Sequence, residues 1–166
     1  ACQYYEPCAW QATDERINYR RFFTINGLIG TNVQHRSVFE ALHGLIGKLV
    51  DEGVFQGLRI DHVDGLADPT GYLNQLRELI SDECYLVAEK ILQRGESLPG
   101  QWPIQGATGY EFLAVVNQVL TCGRHASRFT RFYARLTGDR TPLRDLLLQA
   151  KLAQLHGSMG GELTNL

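Results

Sequence analysis

The sequence predicts an α/β fold made of parallel βαβ units, and three observations predict it. Two short apolar runs, Gly57-Leu-Arg-Ile-Asp61 and Tyr85-Leu-Val-Ala-Glu89, have strand length and composition. Amphipathic helical patterns precede, separate and follow them, bounded by glycine and proline. Strands alternating with such helices pack as right-handed parallel units. Periodicity alone decides neither for an open sheet nor for a barrel. A complete eight-fold barrel takes eight strands and about 250 residues, so a 166-residue chain with three or four strands reads as a small open sheet or as a piece of something larger.

The elements follow in order. Residues 1–36 read as a loop-rich lead-in holding one strand, Ile17 to Phe23, before the turn signal Asn26-Gly27. Ser37-Val-Phe-Glu40 has the form of a capping box, and Val38, Leu42, Leu45, Ile46 and Leu49 recur at helical spacing until Gly53. The strand Gly57 to Asp61 comes next, then a polar turn over His62 to Asp68, then Pro69 opening a helix that carries Leu73, Leu76 and Ile80. The run Tyr85 to Glu89 is unbroken and mostly apolar, as in a parallel strand covered on both faces. A long loop leads to a second capping box, Thr108-Gly-Tyr-Glu111, opening a helix through Leu120. Two more helices fit His125 to Leu136 and, with Thr141 as cap and Pro142 in the first turn, Leu143 to Leu155.

Composition removes several classes of function. Sixteen basic against eighteen acidic residues leave a formal charge of −2, without the basic surplus that nucleic-acid phosphates require. No run approaches the ~18 apolar residues of a membrane span, and the start lacks a signal peptide's order, so the chain is expected to be cytoplasmic with no membrane partner. Cys2, Cys8, Cys84 and Cys122 form no Cys-x-x-Cys pair and are expected as reduced thiols, Cys84 and Cys122 among apolar neighbours. No cofactor and no metal are expected. Asp61, His62 and Asp64 form an Asp-His-x-Asp cluster, but no second histidine-rich element supports a metal centre. His35, His43, His125 and His156 stand alone and read as surface or cap residues, and Gly44-Leu-Ile-Gly47-Lys48 lacks the spacing and hydroxyl of a phosphate loop.

Both parallel strands end in a carboxylate, Asp61 and Glu89. Side chains converge on ligands at the carboxyl ends of such strands. Neighbouring strands lie about 5 Å apart, and a retaining glycosidase sets its nucleophile and its acid/base about 5 to 5.5 Å apart, so the spacing permits that chemistry. An acid just past a strand otherwise serves as a cap or loop residue. Arg59, two residues before Asp61, faces the same side. Its charge would keep a nucleophilic carboxylate ionised, or form a structural ion pair. The apolar run before Glu89 suggests desolvation suited to a general acid.

Specific strings carry more than these spacings. Gly57-Leu-Arg-Ile-Asp-His-Val-Asp-Gly-Leu-Ala-Asp-Pro69 resembles the segment around the fourth barrel strand of the α-amylase superfamily, glycoside hydrolase family 13. With Ile17-Asn-Tyr-Arg-Arg-Phe-Phe23, Tyr85-Leu-Val-Ala-Glu-Lys-Ile-Leu92, Gly106-Ala-Thr-Gly-Tyr-Glu-Phe112 and Gly161-Glu-Leu163, it resembles the maltooligosyl trehalose synthases. The resemblance implies a partial (β/α)8 TIM barrel, about strands 4 to 6 with inserted helices. It would be one catalytic domain over 1–166: lead-in 1–36, βα core 37–120, helical insertion 121–166. The implied reaction converts the reducing-end α-1,4 linkage of a maltooligosaccharide to α,α-1,1, with Asp61 as nucleophile and Glu89 as acid/base. Arg59, His62, Asp64, Lys90 and Tyr110 become the expected sugar contacts, while which of Arg20 and Arg21, if either, faces the site is left open. The superfamily's Asp-x-x-x-Asn-His segment and its later His-Asp segment, which holds a third carboxylate, are absent from these residues. A central fragment that is inactive or nearly so is therefore expected, its uncovered barrel edges leading to self-association, rearrangement or marginal stability. The competing readings are a hydrolytic α-glucanase using the same pair, a non-catalytic glucan-binding module and, more distantly, a metal hydrolase.

Overall fold

The computed structural model describes Glu6 and residues 8–166. Its elements are α1 (Thr13–Arg16), β1 (Arg21–Phe22), β2 (Ile25–Ile29), α2 (Arg36–Asp51), β3 (Gly57–Ile60), α3 (Pro69–Leu79), β4 (Tyr85–Ala88), β5 (Gly106–Ala107), α4 (Tyr110–Val119), α5 (Ala126–Thr137), α6 (Leu143–His156) and α7 (Gly160–Thr164). They divide into two compact units: the described residues up to Thr31 with His125–Leu166, and Asn32–Arg124.

The unit Asn32–Arg124 is the α/β part. β3, β4 and β5 form a parallel sheet in that order, with Arg59 level with Val87 and Ile60 with Ala88. Alternation along the strands sends Leu58, Ile60, Leu86 and Ala88 into one face, where they meet Phe39 and Val50 of α2 and Leu73 and Leu76 of α3. Gly47 permits the helices to close, since a Cβ there would stand 3.1 Å from Leu79. The opposite face carries Arg59 and Tyr85 in the open. The expectation that β4 is covered on both faces is therefore corrected. Its apolar run reflects β-propensity as well as burial, and Tyr85 remains 57% exposed.

β5, two residues long, carries no periodic signal and went unread. It is reached by a helix-free loop anchored by buried Trp102, whose Nε1 donates to Thr70 Oγ1 at 2.9 Å. Arg77 of α3 ties down the same loop, donating to the Pro103 carbonyl from Nε and Nη2 at 3.0 and 2.9 Å.

Helix ends and one histidine differ from expectation. α2 begins at Arg36 without a side-chain cap, because Glu40 pairs with Arg36 Nε at 2.8 Å, one turn away, rather than closing a box with Ser37. The face of α2 that packs runs through Phe39, His43, Gly47 and Val50, leaving Leu42 and Leu45 exposed. His43 is thus a core residue rather than a surface one. Its ring meets the Phe39 carbonyl through Nδ1 and the Tyr72 hydroxyl through Nε2, both at 2.8 Å. The Thr108 box does not form either: left-handed Gly109 (φ 99°) takes the N-cap position, and Thr108 Oγ1 has no partner among the described residues. Cys84 is buried as expected, Cys122 is exposed instead, Cys8 is exposed, and Cys2 lies outside the described residues.

In the other unit, the segment Ile17 to Phe23 supplies only β1. The chain reverses at Phe23-Thr24, with Phe23 at φ 51°, and Asn26-Gly27 lies inside β2. Asn26 is held there because its amide accepts from Arg21 Nη1 at 2.6 Å and donates to Thr13 Oγ1 at 3.2 Å. Gly161 of α7 comes against the end of α1, where a Cβ would stand 2.7 Å from Ile17. α6 starts at Leu143 with Pro142 in the cap position, while the Thr141 amide is taken by Asp139 Oδ1 at 2.8 Å. Among the described residues no helix is long and apolar enough to cross a membrane.

Candidate active site

The site grows from the carboxyl ends of β3 and β4. The Glu89 amide donates to the Ile60 carbonyl at 2.7 Å, extending the ladder one residue past the strands and setting residues 61 and 89 side by side. Asp61 continues the open face of the sheet marked by Arg59, and Glu89 continues the alternation of Val87, so both carboxyls come out on that face.

The chain then turns sharply. His62 adopts a left-handed conformation, φ 53° and ψ 45°, which a residue with a side chain holds only where its surroundings enforce it. One enforcing contact is the His62 amide donating to Glu89 Oε2 at 3.1 Å. Another is the space over Gly65, where a Cβ would stand 2.6 Å from the His62 ring. The Val63–Gly65 turn leads to Asp68, whose Oδ1 accepts from the Gly71 amide at 2.8 Å and caps α3.

Arg59 joins the two carboxyls. Its Nη1 stands 2.6 Å from Asp61 Oδ1 and its Nη2 3.4 Å from Glu89 Oε1. Tyr110, the first residue of α4, donates its hydroxyl to the same Glu89 oxygen at 3.0 Å. The hydrogen bond from Arg59 foremost, and a side-chain hydrogen bond accepted from the Glu89 carboxyl after it, holds the Asp61 carboxyl below its ordinary range. The Arg59 guanidinium is raised in turn, chiefly by Asp61, and the Tyr110 hydroxyl is raised, chiefly by its bond to Glu89. Asp61 keeps 57% of its side-chain surface and Glu89 19%, so one carboxylate faces solvent while the other sits among donors. Glu89 therefore occupies a polar niche, not the hydrocarbon that its apolar run suggested.

Lys90 turns away from this pair. Its Nζ lies 3.1 Å from Asp64 Oδ1 and 3.0 Å from Glu96 Oε1 with 16% of its side chain exposed, which ties the turn after β3 to the loop after β4. Glu96 and Asp64 raise the Lys90 ammonium. The Gln93 amide, then Lys90, hold Glu96 below its ordinary range. Glu96 was missed, since one acid in a breaker-rich loop has no distinguishing pattern. The structure thus brings Arg59, Asp61, the His62 backbone, Glu89 and Tyr110 together and sets Asp64 and Lys90 in an adjoining ion cluster. Asp61 and Asp64 turn to different partners, and among the described residues no three metal-ligating groups converge. Of the two arginines left open, Arg21 is buried in the other unit against Glu162 and Asp14.

This arrangement offers an ionised, accessible carboxylate beside a second carboxyl fixed by hydrogen-bond donors, on an open face. Those are the parts of a double displacement at a sugar carbon.

Comparison with known proteins agrees with the motifs. No family model matches the chain. Two Mycobacterium tuberculosis proteins, from strains CDC 1551 / Oshkosh and H37Rv, provisionally named maltooligosyl trehalose synthase, are each 35% identical over 164 residues, which is 99% of this chain and 21% of theirs. The maltooligosyltrehalose synthase of Arthrobacter ramosus superposes with a TM-score of 0.90 at 36% identity, covering 95% of this chain and 21% of that one. A structure described as DSM5389 glycosyltrehalose synthase gives 0.84 at 37% identity, covering 89% and 20%. The chain is therefore similar to a maltooligosyl trehalose synthase along nearly its whole length, and it spans about a fifth of the relatives it matches.

Proposed function

We propose that this chain supplies the nucleophile and the acid/base of a trehalose-forming glucan mutase, as part of a longer enzyme whose remaining segments complete a (β/α)8 barrel. The observation that carries the reading is the pair Asp61 and Glu89, borne on adjacent parallel strand ends and sharing Arg59 on one open face. In a barrel that face, with Arg59 and Tyr85, would be the interior, and β3 to β5 would be about the fourth to sixth strands. Residues 1–36 and 121–166 would be a lead-in and a helical insertion around the 37–120 core.

In the proposed reaction a maltooligosaccharide binds with its reducing-end glucose beyond the scissile bond. Glu89 gives its proton to the bridging oxygen as the Asp61 carboxylate attacks the anomeric carbon, so the α-1,4 bond breaks and a β-linked glycosyl ester forms. The freed glucose stays and turns over. Glu89, now a base, takes the proton from its anomeric hydroxyl, whose oxygen displaces Asp61. Two inversions restore the α configuration, and the product is the α,α-1,1 linkage. Arg59 keeps Asp61 ionised before the attack. His62, Asp64 and Lys90 would contact the sugar hydroxyls, Lys90 and Asp64 only on releasing one another. Water must be kept out while the ester exists, or hydrolysis competes.

The test is to incubate the longer protein that contains this chain with maltopentaose. The reading expects reducing ends to disappear without net cleavage. Free glucose as the main product, with reducing ends rising, would replace the mutase by a hydrolytic α-glucanase. The 166 residues alone are expected to turn over neither way.

A further inference from the structure

Resting on that reading of Glu89, we infer that Tyr110 is a positioning residue of the reaction: it holds the Glu89 carboxyl in its working orientation and acts through that carboxyl rather than on the sugar.

A carboxyl group at the end of a side chain rotates freely unless both oxygens are held. Here each oxygen has its own donor from a different element. Oε2 takes the His62 backbone amide at 3.1 Å, from the turn after β3, and Oε1 takes the Tyr110 hydroxyl at 3.0 Å, from the first turn of α4. Arg59 cannot replace Tyr110 in this role, because it stands 3.4 Å from Glu89 and binds Asp61 closely, at 2.6 Å. Once Asp61 is esterified its charge is gone, and the guanidinium is free to move. Tyr110 is a neutral donor whose placement does not depend on the state of Asp61.

The local chain is built to deliver that hydroxyl. β5 ends at Ala107 and left-handed Gly109, φ 99°, sends the chain directly into α4, so that Tyr110 opens the helix next to the end of β4. Its hydroxyl makes this one hydrogen bond among the described residues. Glu89 holds the Tyr110 proton above its ordinary range, which keeps the phenol a donor at neutral pH. Its donation keeps the same Glu89 oxygen pointed at the site both when the proton leaves and when it must return.

The experiment compares Tyr110→Phe and Tyr110→Ala with the unchanged full-length protein carrying this chain, measuring kcat and KM for maltopentaose. Loss of the hydroxyl should lower kcat about tenfold or more and leave KM within about twofold. The fall in kcat should be equal in both variants. A rise in KM with kcat kept would make Tyr110 a sugar contact and overturn the inference, as would a kcat that falls only when the ring is removed. Glu89→Gln separates the two levels of the argument. If that variant keeps its rate, the reading of Glu89 itself falls, whatever Tyr110 does.

Discussion

Each of the two units contains an arginine flanked by an aspartate and a glutamate, and the two clusters have opposite characters. In the discontinuous unit, Arg21 has 1% of its side chain exposed, and all three of its guanidinium nitrogens are engaged. Glu162 accepts at 2.6 Å, Asn26 Oδ1 and the Ser158 carbonyl also at 2.6 Å, and Asp14 at 3.2 Å. In the α/β unit Arg59 is 49% exposed and holds only Asp61 closely. The same three residue types make a structural rivet in one case and a reactive pair in the other. What differs is the arginine: a buried guanidinium with all three nitrogens engaged has little capacity left for a ligand, whereas one half-exposed between two carboxylates does.

Substitutions can break that contrast, beginning with the largest expected effect. In the full-length protein Asp61→Asn should lower turnover by about four orders of magnitude and Glu89→Gln by about two to four, with the urea midpoint nearly unchanged because each replacement keeps the side chain's shape and an accepting oxygen. Retained activity in either would remove the reactive half of the comparison. Arg21→Met should do the reverse: it leaves Asp14 and Glu162 without their shared cation and the Asn26 and Ser158 oxygens without a donor, which costs about 1–3 kcal/mol of stability. A variant of normal stability with collapsed activity would show that the buried cluster is not merely structural. The smallest effect concerns pH. Because Arg59 holds Asp61 below its ordinary range, the acid limb of activity should lie below that range, with Asp61 ionised at any pH above it. Arg59→Gln should therefore raise that limb, and an unmoved limb would mean that Arg59 does not tune Asp61.

The sequence carried the α/β unit better than the other one, for physical reasons. β3 and β4 are apolar runs that end in acids, and Asp68-Pro69 marks the start of α3. Both candidate carboxylates and Arg59 follow from counting along those strands. Tyr110 entered by resemblance, and its bond to Glu89 depends on a loop path that no local pattern encodes. Glu96 and β5 were illegible for the same reason. His43 was misread because one polar residue on a helix is ambiguous until its partners, the Phe39 carbonyl and the Tyr72 hydroxyl, are in place. In the discontinuous unit the contacts that matter join residues far apart in the chain, Arg21 with Glu162 and Ile17 with Gly161. Asn26-Gly27 has the composition of a hairpin turn, yet the Asn26 amide is committed to Arg21 and Thr13, and the reversal falls at Phe23-Thr24.

The most direct measurement is covalent trapping. A fluorinated glucosyl fluoride forms its ester readily but releases it slowly, and peptide mass spectrometry of the full-length protein then locates the sugar. The account predicts a glycosyl adduct on Asp61, absent from Asp61→Asn and longer-lived in Glu89→Gln, where the base is gone. A turnover-competent adduct on any other residue would contradict it.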